Sequence, residues 1–327
     1  MILVGERRRG EASPAAAGML APSVERASGP AHDFAIAARD FYPEYLELLE
    51  TESGVAVSLN RLGILQVAVT EGGVRGLRKT ALPSTEWLDR NELALLEPAL
   101  SHALGAVLNP NDGAVDNIAL LTALDRLTDA SRKVSRVEGC VTKVSRHGND
   151  QRVMLGSGET LHTAWVVLAP GAWGSSINGA GWLRFVTPCR GQLVAYESIG
   201  LRHVAYGPRG YLVPRGGETI AGTTMETVGF DPATTADGIA KVHSAAEEIS
   251  PAISVARVSS AWAGLRPVTP DMLPLLGLDP GNPGLLYACG HSRNGILLGP
   301  LTGEVIASLV AEEPAGHDLS RFRPDRF

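Results

Sequence analysis

Cysteine is scarce in this sequence, and its scarcity excludes two kinds of structural scaffold. The 327 residues contain three cysteines, and no two of them form a Cys-x-x-Cys pair. A disulfide framework or a cysteine-based zinc site is therefore not expected, and a reducing cytoplasm is the compartment that fits best. The three are Cys140, Cys189 and Cys289.

Clustered positive charge and long uncharged apolar runs are also missing. The formal net charge is −6 and the one basic tract is Arg7 to Arg9, so no nucleic-acid-binding surface is expected. The apolar stretch GILLGPLTGEVIASLVA (295–311) contains glycines and Glu304, which predicts a packed helix and no membrane span. With 44% hydrophobic and 20% charged residues, the chain is expected to be a soluble α/β unit or two domains.

Helical and extended patterns are both present and alternate along the chain. Apolar spacing predicts helices over 33–53, 71–80, 89–100, 117–130 and 237–250, and a last one from Gly295. Residues 55–59 and 62–69 have strand patterns, and the run AWVVLAP (164–170) is typical of a strand covered on both faces. Buried strands near 1–4, 164–169 and 284–289 are separated by strand-rich segments. This spacing predicts a mixed α/β fold, with a discontinuous nucleotide-binding domain and an inserted antiparallel domain.

The stretch LLYACGHSRNGILLGP (285–300) combines a strand, a turn and the start of a helix. Glycines on both sides of the turn allow a ligand to approach the backbone closely. The free N–H groups and positive dipole at a helix start favour an anionic group. Taken alone, the same pattern also describes an ordinary strand–turn–helix with a glycine cap and a surface arginine.

Three stretches together resemble the FAD-dependent amine and amino-acid oxidases, the family of D-amino-acid oxidase, sarcosine oxidase and glycine oxidase. They are YACGHSRNGILLGPLTGEVIASLV (287–310), AWAGLRPVTPDMLPLLG (261–277) and EASPAAAGMLAP (11–22). The chain looks most like the glycine oxidases of thiamine biosynthesis, whose motif reads Gly-His-aromatic-Arg-Asn-Gly-Ile-Leu-Leu. The likeness extends over essentially the whole chain.

The resemblance implies FAD as the cofactor, with contacts from several parts of the chain. Glu6 falls on the acid that binds the adenosine ribose, and Val141 on the position whose backbone meets the adenine. The loop at 16–19 lies along the flavin, and the start of the last helix stabilises negative charge on it. His291 is given a structural or flavin-facing role; no metal site is predicted, because no ligand-spaced partner accompanies it. The implied FAD-binding residues are Glu6, Ala16, Ala17, Gly18, Met19, Val141, Gly171, Trp173, Gly290, His291, Arg293, Asn294, Gly295, Ile296 and Leu297.

The resemblance also sets expectations for the start of the chain and for its domains. MILVGE corresponds to the family's second strand, so the first strand, glycine-rich phosphate loop and first helix are expected before Met1. Such a unit has about 30 residues. Either the start lies too far downstream, or the chain is a genuine short form that has lost its pyrophosphate site. The implied FAD-binding domain comprises 1–30, 112–178 and 263–327, and the substrate-binding domain 31–111 and 179–262.

Three residues are implied to form the catalytic site. Arg266 falls on the family's carboxylate-binding arginine, and the planar guanidinium of arginine binds a carboxylate through two parallel hydrogen bonds. Tyr211 falls on a tyrosine that contacts the substrate carboxylate, although on pattern alone it could equally be a core aromatic of a strand. Arg293 falls beside the flavin and substrate at the mouth of the site.

The activity implied is oxidative deamination of a small amine or amino acid, such as glycine, sarcosine or a D-amino acid. The product imine would hydrolyse to a 2-oxo acid, and oxygen would be reduced to hydrogen peroxide. Two alternatives stay open: a dehydrogenase that passes electrons to a carrier, and a non-catalytic remnant without FAD. Ser292 and Val268 depart from the family pattern and put strict glycine specificity in doubt. A homo-oligomer is compatible with the family.

Overall fold

The structure is a computed structural model that describes residues 1–25 and 27–327. Its fold is mixed α/β, as predicted. The helices are α1 Ala12–Ala15, α2 Pro30–Ser53, α3 Glu71–Thr80, α4 Arg90–Leu96, α5 Asn117–Ala130, α6 Ala236–Ile249 and α7 Gly295–Val310. The strands are β1 Ile2–Gly5, β2 Met19–Leu20, β3 Leu59–Asn60, β4 Ile64–Ala68, β5 Glu86–Asp89, β6 Gly105–Asn109, β7 Gly113–Val115, β8 Ser135–Glu138, β9 Val141–His147, β10 Asp150–Leu155, β11 Thr160–Thr163, β12 Val166–Leu168, β13 Thr187–Glu197, β14 Val204–Tyr206, β15 Tyr211–Arg215, β16 Glu218–Gly222, β17 Val258–Val268, β18 Leu275–Leu278 and β19 Leu285–Cys289.

The largest sheet has eight strands in the order β17-β13-β16-β15-β14-β4-β6-β5. Its neighbouring strands are antiparallel except for β14 and β4, which run parallel. Helix α6 contributes Val242, Ala246 and Ile249 to the core on one face of this sheet. On the other face, the segment before α2 packs against the sheet through Ala17 and Ala21.

Two further parallel pairs lie in smaller sheets. Strand β1 pairs with β8, and β12 pairs with β19, which also pairs with the antiparallel β18. Helices α2, α5 and α7 share a second large core with β18 and β19. Its buried members include Phe34, Tyr42, Leu120, Leu286, Leu297, Leu301, Val305 and Phe322.

Local capping explains where several helices begin. Asp89 accepts hydrogen bonds from the backbone N–H of Asn91 and Glu92, and the Glu92 side chain bonds back to Asp89, forming a capping box at α4. Thr70, Asp116 and Thr235 cap α3, α5 and α6 in the same way through one side-chain oxygen. The four capped helices, α3 to α6, begin within one residue of the starts that the apolar spacing predicts.

Three predicted strand properties are wrong. Ile2 and Leu3 of β1 are exposed, because the two-stranded sheet of β1 and β8 leaves their side chains outside the hydrophobic cores. Val167 of β12 is also exposed, because β12 is the last strand of its sheet and is not covered on both faces. Residues 55–58 have no regular structure, and the predicted strand there is reduced to β3.

The predicted division into domains stays a prediction. Its boundary between residues 262 and 263 falls inside β17, which pairs with β13 along its whole length. Within residues 1–25 and 27–327, no helix has the length and apolar character needed to cross a membrane.

Candidate active site

Arg266 lies on β17, over a position where the neighbouring strand carries a glycine. A Cβ atom on Gly191 of β13 would lie 1.9 Å from Nη1 of Arg266, so the guanidinium occupies the space left by the missing side chain. Nη2 of Arg266 donates to Oγ1 of Thr223 at 2.8 Å, and Nη1 donates to the carbonyl oxygen of Thr224 at 3.2 Å. The guanidinium is thus held in place by neutral oxygens, which leaves its charge available to an anionic ligand.

Tyr211 and Tyr206 lie beside this arginine. Their rings stack with centroids 6.5 Å apart and an interplanar angle of 27°. Burial raises the pKa of Tyr211 to about 12, although the nearby Arg266 opposes this change. The Tyr211 hydroxyl therefore keeps its proton at neutral pH and can donate a hydrogen bond.

Glu25 is the acidic residue of the same cluster, and the sequence analysis missed it. Its side chain is 10% exposed, and Oε2 accepts a hydrogen bond from Nε of Arg293 at 2.5 Å. Burial raises the pKa of the Glu25 carboxyl, while Arg293, Arg266 and Tyr206 act in the opposite direction. One buried carboxylate thus faces both predicted catalytic arginines.

The loop from α1 to β2 is fixed to the surrounding strands by its backbone carbonyls. The carbonyl of Ala15 accepts from Nε1 of Trp262 at 2.9 Å, and that of Ala16 accepts from Nη1 of Arg215 at 3.3 Å. Gly18 has φ +84°, and a Cβ there would lie 2.0 Å from the carbonyl oxygen of Val115. The predicted flavin loop, Ala16 to Met19, is therefore rigid and close-packed.

The turn between β19 and α7 presents an uncapped helix start. Gly290 has φ +74°, and a short 3₁₀ turn at 292–294 leads into α7 at Gly295. No side-chain hydrogen bond caps this helix, so the first-turn N–H groups of residues 295–297 have no side-chain partner there. The carbonyl of Ile296 accepts from the Tyr42 hydroxyl at 2.5 Å, which fixes the turn against α2.

His291 points into the protein. Its Nε2 lies 3.1 Å from Oγ1 of Thr302, about two turns into α7. Burial lowers the pKa of its ring to about 4, so the ring is neutral at physiological pH. This environment agrees with a structural role.

Arg8 connects the predicted adenosine-binding residues with one another. Its Nη2 donates to Oε1 of Glu6 at 2.5 Å and to Sγ of Cys140, next to Val141, at 3.4 Å. The guanidinium of Arg8 also lies 5.6 Å from the centre of the Trp173 ring, in the turn that begins at Gly171. Glu6, Val141, Gly171 and Trp173 therefore lie in one region. A surface cavity connects it with Ala15 and Trp262, and its lining includes Arg8, Gly10, Glu11 and Pro14.

The residues present fit FAD. An uncapped helix start suits the cofactor's anionic groups. A model of the family described as FAD-dependent oxidoreductase matches residues 1–309. The chain belongs to this family, which confirms the predicted enzyme class and the predicted cofactor, FAD.

The similar proteins include glycine oxidases. The bifunctional protein ThiO/ThiG of Synechocystis sp. is 35% identical over 328 residues, which cover 97% of this chain and 48% of that protein. Glycine oxidase of Geobacillus kaustophilus is 33% identical over 326 residues, covering 95% of this chain and 86% of that enzyme. The crystal structure of glycine oxidase from that organism matches with a TM-score of 0.91 and 30% identity. The match covers 100% of this chain and 92% of that one. The chain thus spans about half the length of the bifunctional relative.

Proposed function

We propose that the protein oxidises a small amino acid, such as glycine or sarcosine, to the corresponding imine. The substrate loses two electrons and two protons as its Cα–N single bond becomes a double bond, and water then hydrolyses the imine to a 2-oxo acid and the free amine or ammonia. FAD, when bound, supplies this two-electron oxidation and passes the electrons to oxygen, which is reduced to hydrogen peroxide.

Arg266 is the observation that carries this proposal. Its guanidinium is positioned by Thr223 and Thr224, and no ion pair to it is present in the described part of the chain. A substrate carboxylate can therefore form an ion pair with this guanidinium without competing with a carboxylate of the protein. The Tyr211 hydroxyl, which stays protonated, is suited to donate a further hydrogen bond to that carboxylate.

The start of α7 supplies the second part of the proposed site. The first-turn N–H groups of Gly295, Ile296 and Leu297, which no side chain caps, would hold the end of the cofactor that becomes negatively charged on reduction. Fixing the substrate by its carboxylate and the cofactor by this helix reduces the entropy cost of bringing the two together.

The function is tested by reconstituting the 327-residue chain with FAD and adding glycine, sarcosine or D-alanine. We expect the flavin absorbance to bleach without oxygen, and hydrogen peroxide to form with oxygen. Arg266→Ala should lower kcat/KM by about 100-fold or more, because a buried charge pair with the substrate is lost. Arg266→Lys should recover only part of this loss, since lysine lacks the planar pair of donors.

The matched control is Arg257→Ala. Arg257 pairs with Glu197, and both side chains are more than half exposed, so kcat/KM should change by less than about twofold. The proposal fails if none of these amines bleaches the flavin, or if Arg266→Ala retains the activity of the unaltered chain. Bleaching without peroxide would instead assign an electron carrier as the acceptor.

A further inference from the structure

The charges of the candidate active site are unequal. Among residues 1–25 and 27–327, the guanidinium groups of Arg266 and Arg293 face one carboxylate, that of Glu25. The ion pair joins Glu25 to Arg293, whereas Arg266 donates to neutral oxygens. The cluster therefore carries one net positive charge, located on Arg266.

Arg293 does not require Glu25 as a partner for its own stability. Its side chain is 46% exposed, so water can solvate the guanidinium. Glu25 is the group that is withdrawn from water, at 10% exposure, and burying a carboxylate is costly unless it is paired. Pairing with a half-exposed arginine offsets only part of this cost, so the buried position of Glu25 calls for another explanation.

The turn that carries Glu25 is itself fixed. The backbone N–H of Glu25 donates to the carbonyl of Ala21 at 2.9 Å. Two residues earlier, Ser23 donates to the buried Asp112 through both its N–H and its hydroxyl. The carboxylate is therefore held towards the arginines by the backbone, and it contributes a fixed negative charge to the site.

We propose that Glu25 determines substrate specificity by restricting the site to substrates with a single carboxylate. This rests on the proposed function. One substrate carboxylate neutralises Arg266, while a second would face Glu25 with Arg293 already neutralised. In a partly buried site, two like charges at close range repel each other strongly, so dicarboxylic amines are rejected.

Sarcosine and iminodiacetate test the proposal, since both are secondary amines and differ by one carboxylate. Glu25→Gln keeps the size and an acceptor oxygen for Arg293 but removes the charge. We expect the ratio of kcat/KM for iminodiacetate to that for sarcosine to rise by about tenfold or more. Arg293→Gln, which leaves the negative charge unpaired, should lower the same ratio.

A binding measurement gives a second readout. Malonate and acetate are carboxylates without an amine, and their binding can be followed by the change in flavin absorbance of the FAD-loaded chain. Glu25→Gln should lower the Kd of malonate by about tenfold and change that of acetate by less than about threefold. Glu197→Gln, which breaks an exposed ion pair at the end of β13, is the matched control. It should change neither the kcat/KM ratio nor the Kd of malonate.

The outcomes separate this inference from the proposed function. If sarcosine is oxidised but neither the substrate ratio nor the malonate Kd responds to Glu25→Gln, Glu25 only braces Arg293 and the inference is wrong. If no amine is oxidised while malonate binding responds as stated, the proposed function is wrong and the charge selection stands. If Glu25→Gln does not fold, Arg293→Gln tests the inference instead. It should change the ratio of kcat/KM for iminodiacetate to that for sarcosine in the opposite direction.

Discussion

At the scale of single residues, burial of His291 makes the protein sensitive to acid. The pKa of its ring is lowered to about 4 in the folded protein, against about 6.5 in an unfolded chain. Below pH 6.5 the unfolded chain therefore binds a proton that the folded protein does not, and stability decreases as the pH falls towards 4. Between pH 7 and 5, this loss should be about 1 to 2 kcal/mol.

His291→Gln should remove that part of the pH dependence, because glutamine can still bond to Thr302 and does not titrate. Urea unfolding of both proteins at pH 7 and pH 5 measures the difference. The same substitution at His147, which is exposed on β9, should leave the pH dependence of the unaltered chain in place. An equal response of His291→Gln and the unaltered protein would contradict the assignment.

The sequence predicted part of the candidate site at this scale. The family motifs predict three catalytic residues, Arg266, Tyr211 and Arg293, and the structure brings them together. Glu25 was missed because it lies in an irregular turn, where no periodicity distinguishes it from the other acidic residues. Gly18 lies in the loop predicted to face the flavin, and Glu25 follows it by only seven residues. This short distance was the one sequence feature that could have indicated a place in the site.

At the scale of elements, the contact between the flavin loop and β17 depends on Gly264. A Cβ there would lie 2.5 Å from Cβ of Ala15, so Gly264→Ala should push α1 away from the strand and weaken the bond from Trp262 to Ala15. Overpacking of this kind costs about 1–3 kcal/mol. We expect FAD to bind about tenfold more weakly, as measured by fluorescence titration.

Gly303→Ala is the matched control, because a Cβ at this position in α7 meets no atom within 4 Å. Alanine has the higher helix propensity, so this variant should gain about 0.5–1 kcal/mol of stability. Its FAD affinity should stay the same. Equal FAD affinities for Gly264→Ala and the unaltered chain would show that the loop does not depend on this close approach.

Helices were easier to predict than strands for a physical reason. A cap such as Asp89 with Glu92 is a local interaction, readable within four residues. The burial of a strand depends on partners far along the chain. The apolar residues of β1 and β12 therefore suggested buried strands, although Ile2 and Val167 are exposed.

At the scale of the whole molecule, Glu97 connects two distant segments of the chain. It is fully buried, and Oε1 accepts from the backbone N–H of His203 at 2.9 Å and lies 2.5 Å from Nδ1 of the same residue. Burial alone would raise the pKa of Glu97, but the hydrogen bonds from His203 and Arg202 outweigh it and lower the pKa. Its contribution to stability is therefore present at neutral pH and is lost in strong acid.

Glu97→Gln should reduce the free energy of unfolding by about 3–5 kcal/mol, because it breaks a buried charged network. Urea unfolding at pH 7 measures this change. Asp237→Asn, which removes an exposed ion pair with Lys241, should change stability by less than about 1 kcal/mol. A loss at Glu97 as small as that at Asp237 would show that the network contributes little.

The order of strands could not be predicted at this scale. A strand is predicted at 62–69, but nothing local indicates that β4 and β14 run side by side, about 140 residues apart. Such pairing is decided by the packing of the whole chain.

Gly191 has a consequence for how this protein can evolve. Because the guanidinium of Arg266 occupies the volume above its Cα, even the smallest replacement, alanine, collides with the residue proposed to bind the substrate. Position 191 is thus closed to variation as long as the arginine keeps its place. A library intended to broaden the substrate range gains nothing from randomising β13 there, and its productive diversity lies at Glu25 and Tyr206.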